Sequence, residues 1–172
     1  MPTPLSIRRL LPSDLDRILE IECASFGADA YDRNLFAEFC HKCGDLFLVA
    51  LRGRKVCGYM ITCIGGKSAV NRAELVSVAV DPKQRGRGIA STLMDTTIRR
   101  LRRRGIVRFR LMVKVTNQPA IAFYERYGFA RSRIVRQYYE DGADGWLMAK
   151  CWDEQSKRSK PVSTSKRHAK RK

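Results

Sequence analysis

The sequence predicts an α/β (α+β) fold, a single domain with a mixed central sheet of about seven strands flanked by about four helices. Three observations predict it. The chain alternates between short β-branched runs and stretches whose apolar residues recur at helical spacing. Its 172 residues suit one domain with a sizeable core. One unit dominates: an apolar run at residues 75–80, then Asp81-Pro82, an Arg- and Gly-rich loop, and Ile89, Leu93 and Leu101 on one helical face. Proline cannot donate to a β-ladder and restricts the residue before it, so the strand stops there.

The other elements follow in order. Residues 5–10 alternate and read as a first strand. Pro12-Ser13-Asp14 opens a helix, with Ser13 as cap and Leu15, Ile18, Leu19, Glu22 and Cys23 defining its inner face. Gly27 marks its end. Residues 32–43 form a second helix with Leu35, Phe36 and Phe39 inward. Residues 46–51 and 56–64 make a hairpin around Arg52-Gly53-Arg54. Residues 65–72 connect to the central strand. Gly105 breaks the Arg-rich helix, and residues 107–115 are another strand. Asn117 caps a helix that Gly128 closes. Residues 129–139 and 145–152 read as a closing pair of strands around Glu140-Asp141-Gly142.

Charge is the compositional outlier, with a net +17. Residues 157–172 hold eight Lys/Arg and no acid, so residues 153–172 read as a basic, disordered tail able to touch RNA, ribosomes or another polyanion. Residues 1–152 form the folded domain. Arg99, Arg100, Arg102, Arg103 and Arg104 complement the carboxyl end of their helix dipole. No apolar run is long enough to span a membrane, and the first residues lack a signal peptide's apolar core. The expected location is cytoplasmic, with six reduced cysteines. Cys40-His41-Lys42-Cys43 lacks a second ligand pair at zinc spacing, so no metal is expected. His168 lies in the tail and is no catalyst.

A strand, a Gly-rich turn and a helix together present free backbone N–H groups to an anion. Gly86 and Gly88 remove Cβ atoms that would hold a phosphate away, and Arg85 and Arg87 add charge. No Gly-Lys-Ser/Thr follows, which excludes a P-loop, and the glycines do not fit a dinucleotide fingerprint. The spacing Arg85-x-x-Gly88-x-Ala90 resembles the diphosphate-binding signature of the GNAT superfamily of acetyl-CoA-dependent N-acetyltransferases. Asn117-Gln-Pro-Ala-Ile-Ala-Phe-Tyr-Glu-Arg-Tyr-Gly-Phe129 is similar to that family's second motif. The resemblance covers residues 5–152, and within the superfamily the chain looks most like the RimI type, which acetylates protein N-terminal amines, notably of a ribosomal protein.

The resemblance implies roles. Val78, Ala79 and Val80 would pair with the pantetheine arm, a backbone N–H there polarising the thioester carbonyl. Gly86, Arg87, Gly88, Ile89, Ala90 and Ser91 would hold the diphosphate, flanked by Arg85, and Asn117 would hold the arm. Tyr124 would protonate the departing thiolate. Tyr138 and Tyr139 would cover the peptide substrate. RimI-type enzymes carry Glu in the strand before the Asn motif, where this chain has Met112. Glu74, in Ala-Glu-Leu-Val, resembles the base of the histone-acetyltransferase branch, and strict alternation would set Glu74, Val76 and Val78 on one face. The expected reaction is acetyl transfer from acetyl-CoA to a protein N-terminal amine. Two alternatives stay open: a lysine or small-amine acetyltransferase, and a CoA- or RNA-binding module without turnover.

Overall fold

The computed structural model describes residues 3–65 and 71–152. Its elements run β1 (Leu5–Arg9), α1 (Leu15–Phe26), α2 (Arg33–Cys43), β2 (Phe47–Arg52), β3 (Lys55–Ile64), β4 (Arg72–Val80), α3 (Ile89–Arg103), β5 (Arg108–Lys114), α4 (Gln118–Arg126), β6 (Ala130–Val135) and β7 (Gly145–Cys151). One seven-stranded sheet has the order β1-β2-β3-β4-β5-β7-β6. Only β4 and β5 run parallel, because a helix, α3, connects them. The fold class and element order match the expectation from sequence. The expected tail and residues 66–70 of the expected connector lie outside the described residues.

The core forms two layers. On one face α3 and α4 cover Met60, Leu75, Val80, Phe109 and Leu111. On the other, α1 and α2 cover Phe47, Val49, Tyr59, Ile61 and Ala79. The start of α1 differs from the expected Ser13 cap. Asp14 accepts from the Leu11 N–H at 2.8 Å and from Arg8 at 2.6 and 2.9 Å, tying β1 to the helix. The inner residues of α1 are Ile18, Ile21 and Glu22, while Cys23 is exposed. A second correction concerns the thiols. Cys43 at the end of α2 and Cys63 on β3 form a disulfide, with Cα atoms 4.5 Å apart. The chain's return through β2 and β3 brings them together, which their spacing in sequence did not signal.

Two irregularities in β4 shape the site. Ile61 pairs with Ser77 but Thr62 pairs with Leu75, so Val76 is an extra residue, a β-bulge. The bulge shifts the side-chain phase. Glu74, Val76, Ser77 and Ala79 face α1 and α2, whereas Leu75, Val78 and Val80 face α3. Val78 therefore lies on the face opposite Glu74, against the strict alternation expected. Pairing of β4 with β5 also ends at Leu75–Leu111, while β5 stays paired to β7 as far as Lys114–Gly145. Beyond Leu75 the two central strands part. Among the described residues no helix is long and apolar enough to cross a membrane.

Candidate active site

The Gly-rich turn follows β4 directly. Asp81 accepts from the Lys83 N–H at 2.9 Å and pairs with Arg17 of α1, which anchors the short 3-10 turn Pro82–Gln84. Gly86 and Gly88 then take φ values of +73° and +74°, the left-handed region glycine enters without penalty. A Cβ at either would meet no heavy atom within 4 Å, so the cradle is open space rather than filled protein. The first helical bond of α3 runs from the Thr92 N–H to Gly88 O at 3.0 Å. The N–H groups of Ile89, Ala90 and Ser91 are thereby left free to face an anion.

The arginines of this loop divide their work. Arg85 donates to Val80 O at 3.1 Å and to Ser25 Oγ at 3.2 Å, fastening the loop to β4 and α1. Arg87 is exposed and lines a cavity of about 360 Å³ with Arg52 and Lys55. The buried Ile89 side chain lies 3.2 Å from where a Cβ on Gly58 would stand, so Gly58 permits α3 to approach β3 closely.

On the same face of the sheet as α3 stands α4. Asn117 caps it, its Oδ1 accepting from the Ala120 N–H at 3.2 Å. Tyr124 is buried between Phe123 and Phe129, with ring centroids 5.5 and 5.9 Å away. Burial pushes its phenol up, and Tyr139 adds to the shift.

The α1/α2 side of the sheet carries the remaining candidates. Glu74 accepts from Arg110 Nε and Nη2 at 3.1 and 2.8 Å, and both side chains are about half exposed. The resemblance gave Glu74 the part of a base; the structure finds its carboxylate ion-paired, because the register sets Arg110 of β5 beside it. Met112 pairs with Leu147 and packs over Gly145, giving an apolar floor. Tyr138 and Tyr139 were expected in a strand, but β6 ends at Val135 and both lie beyond it. Their rings meet edge to face at 5.0 Å. Burial pushes the Tyr139 phenol up to about 12.

Sequence reasoning missed several residues here. Lys114 joins Asp29, which follows α1, to Asp141 of the β6–β7 turn, at 2.9 and 2.7 Å, and stands 5.1 Å from the Tyr139 ring centroid. Its hydrogen bonds to Asp141 and Asp29 hold its ammonium well above the ordinary lysine range. One side chain thus straps together the two segments that wall this side. Beneath them Glu22 is 1% exposed. It accepts from the Tyr31 N–H at 2.9 Å and from the Tyr59 hydroxyl, which in turn lies 3.0 Å from Ser77 Oγ. The available signal was a carboxylate on the apolar stripe of α1.

Comparison with known proteins agrees with this geometry. A sequence profile of the acetyltransferase (GNAT) family matches residues 15–129. An N-alpha-acetyltransferase of Saccharolobus solfataricus is 30% identical over 154 residues, 84% of this chain and 92% of its own length. The N-alpha-acetyltransferase RimI of Mycobacterium tuberculosis is 31% identical over 152 residues, 84% of this chain and 91% of its own. Among solved structures, Ard1 from Thermoplasma volcanium is similar with a TM-score of 0.81 at 26% identity, covering 87% of this chain and 99% of that one.

Proposed function

The chain belongs to the GNAT acetyltransferase family and is an acetyltransferase enzyme, and from that premise we propose that its acceptor is the α-amine of a protein N-terminus. The observation that carries the reading is the identity, over nearly their whole lengths, to relatives of that activity. Acetyl-CoA supplies the acetyl thioester when bound. The N–H groups of Ile89, Ala90 and Ser91, with Gly86, Gly88 and Arg87, hold its diphosphate; Arg85 keeps the loop in shape. The edge of β4 left unpaired by β5, at Val78, Ala79 and Val80, holds the pantetheine arm together with Asn117. Tyr124 gives a proton to the leaving thiolate. Glu74, steadied by Arg110, faces the incoming ammonium, and Tyr138 and Tyr139 cover the first residues of the peptide. In this reading residues 1–152 are the catalytic unit, and the basic sequence of residues 153–172 serves contact with RNA or a ribosome.

The test is a peptide array with labelled acetyl-CoA. Peptides with free N-termini should take up label, and peptides with blocked N-termini and internal lysines should not. The reverse pattern would establish the second reading, a lysine or small-amine acetyltransferase, which Met112 and Glu74 favour. The alternative of a module without turnover is set aside by the family match.

Lys114→Ala tests the acceptor wall. Losing the ion pairs to Asp29 and Asp141 and a cation–π contact should loosen this wall and weaken peptide binding. The peptide KM should rise roughly 5-fold with kcat nearly unchanged. An unchanged KM would mean that the strap does not shape the cleft.

A further inference from the structure

We infer that Glu22, buried beneath the bulge of β4, takes the proton of the acceptor amine through the hydroxyls of Ser77 and Tyr59. The inference rests on the acyl-transfer reading above and concerns its missing base. Met112 cannot accept a proton, and Glu74 is held by Arg110 at the rim. Ser77 is the first residue past the bulge that faces the acceptor side, where β4 has already left β5. Its Oγ is 3.0 Å from the Tyr59 hydroxyl, and that hydroxyl is bonded to Glu22. The chain of hydroxyls therefore runs from the place where the strands part to a carboxylate 1% exposed.

The surroundings of Glu22 suit this work. From β3 it meets the Tyr59 phenol, and from the segment after α1 the Tyr31 N–H at 2.9 Å and, farther off, the Tyr31 phenol. The rings of Phe36 and Phe47 pack on Tyr59, with centroids 5.6 and 6.1 Å away. No lysine or arginine pairs with Glu22 among the described residues. Burial accordingly raises the affinity of the carboxylate for a proton, against the weaker opposing effect of its two hydrogen bonds. A carboxylate that only fastened α1 to β3 would be better served by a neutral amide.

The transfer balances. The amine nitrogen gives a proton to Ser77 Oγ, the Ser77 proton passes to Tyr59, and the Tyr59 proton passes to Glu22. One proton has moved and both hydroxyls are restored. The nitrogen lone pair freed in this way forms the bond to the acetyl carbon as the carbon–sulfur bond breaks; Tyr124 protonates the sulfur, and the second nitrogen proton, released as the amide forms, passes through solvent to restore the Tyr124 phenol. Glu22 then returns its proton by the same route to solvent.

The experiment measures kcat against pH, peptide KM, CoA affinity and thermal stability for wild type, Glu22→Gln, Ser77→Ala and Glu74→Gln. Glu22→Gln should lose on the order of 10²-fold or more in kcat, with KM and CoA affinity unchanged. The rise of kcat with pH that follows ionisation of the base should vanish. Ser77→Ala, a small change on a half-buried residue, should lose roughly 10-fold or more and flatten the same rise. Glu74→Gln should raise the peptide KM and keep the rise. Stability supplies the readout that a structural role would not produce. The folded pKa of Glu22 lies above its unfolded value, so its contribution to stability is present below the unfolded pKa and is lost as pH rises through the folded one. Glu22→Gln should thus melt at or above wild type near pH 8, while activity falls.

Wild-type kcat with an unchanged pH rise in either Glu22→Gln or Ser77→Ala would overturn the inference. So would a kcat loss in Glu22→Gln that keeps the pH rise and comes with a lower melting temperature. If wild type acetylates lysines or small amines alone, the N-terminal reading fails, and the same four proteins decide the proton route on that acceptor.

Discussion

Tyr124→Phe is expected to lower kcat by a factor on the order of 10²–10⁴ while leaving CoA affinity and peptide KM nearly unchanged. The phenol is almost wholly enclosed, and no hydrogen bond contributes to its shift. Phenylalanine fills the same space between Phe123 and Phe129, so the melting temperature should hold within a few degrees. What is lost is one proton, at the moment the thiolate departs. Because burial pushes the phenol above its ordinary range, Tyr124 stays protonated through neutral and mildly alkaline pH. The wild-type rate should therefore show no alkaline fall from this group below about pH 10. A variant that turns over at the wild-type rate would remove Tyr124 from the chemistry and leave it a core aromatic.

Gly88→Val should cost about 1–2 kcal/mol of stability and at least roughly 100-fold in CoA affinity. The stability loss comes from forcing a branched residue to φ +74°. The affinity loss has a separate origin. Apart from its chain neighbours, no protein atom lies within 4 Å of the new Cβ, so the side chain enters open space beside the N–H groups of α3 that would meet a diphosphate. Gly105→Val provides the control. Its φ is +70°, a Cβ there also meets nothing, and it lies past the opposite end of α3. It should lower the melting temperature comparably and leave calorimetric CoA binding intact. Equal CoA affinity in the two variants would mean that the turn does not hold the diphosphate.

Much of this was legible in the sequence because the signals are local. Asp81-Pro82 stops a strand, Asn117 caps a helix and the cradle glycines break the pattern wherever they occur in the fold. The element order followed from such signals. Four features of the site were not legible. The bulge at Val76 depends on how β3 pairs with β4, and no residue in β4 announces it. Arg85 read as a phosphate ligand because it carries charge beside a Gly-rich turn; only the fold reveals that Val80 O and Ser25 Oγ already engage it. Glu22 and Tyr59 are 37 residues apart, and their contact arises from packing α1 on the sheet. The hint was Glu22 itself, a carboxylate where an aliphatic side chain would cost less. Lys114 was hidden for a similar reason, since its partners come from two distant loops.

The extra residue in β4 has a practical consequence for anyone altering this enzyme. Counting side chains in pairs from Arg72 gives the wrong orientation for everything after Val76, so a design that varies the strand by parity would polarise the interior and grease the wall of the substrate cleft. Deleting Val76 would make the ladder regular without turning any side chain over, because Leu75 and Ser77 already pair with the adjacent residues Thr62 and Ile61; Glu74 and Ser77 would stay on one face, one residue closer together.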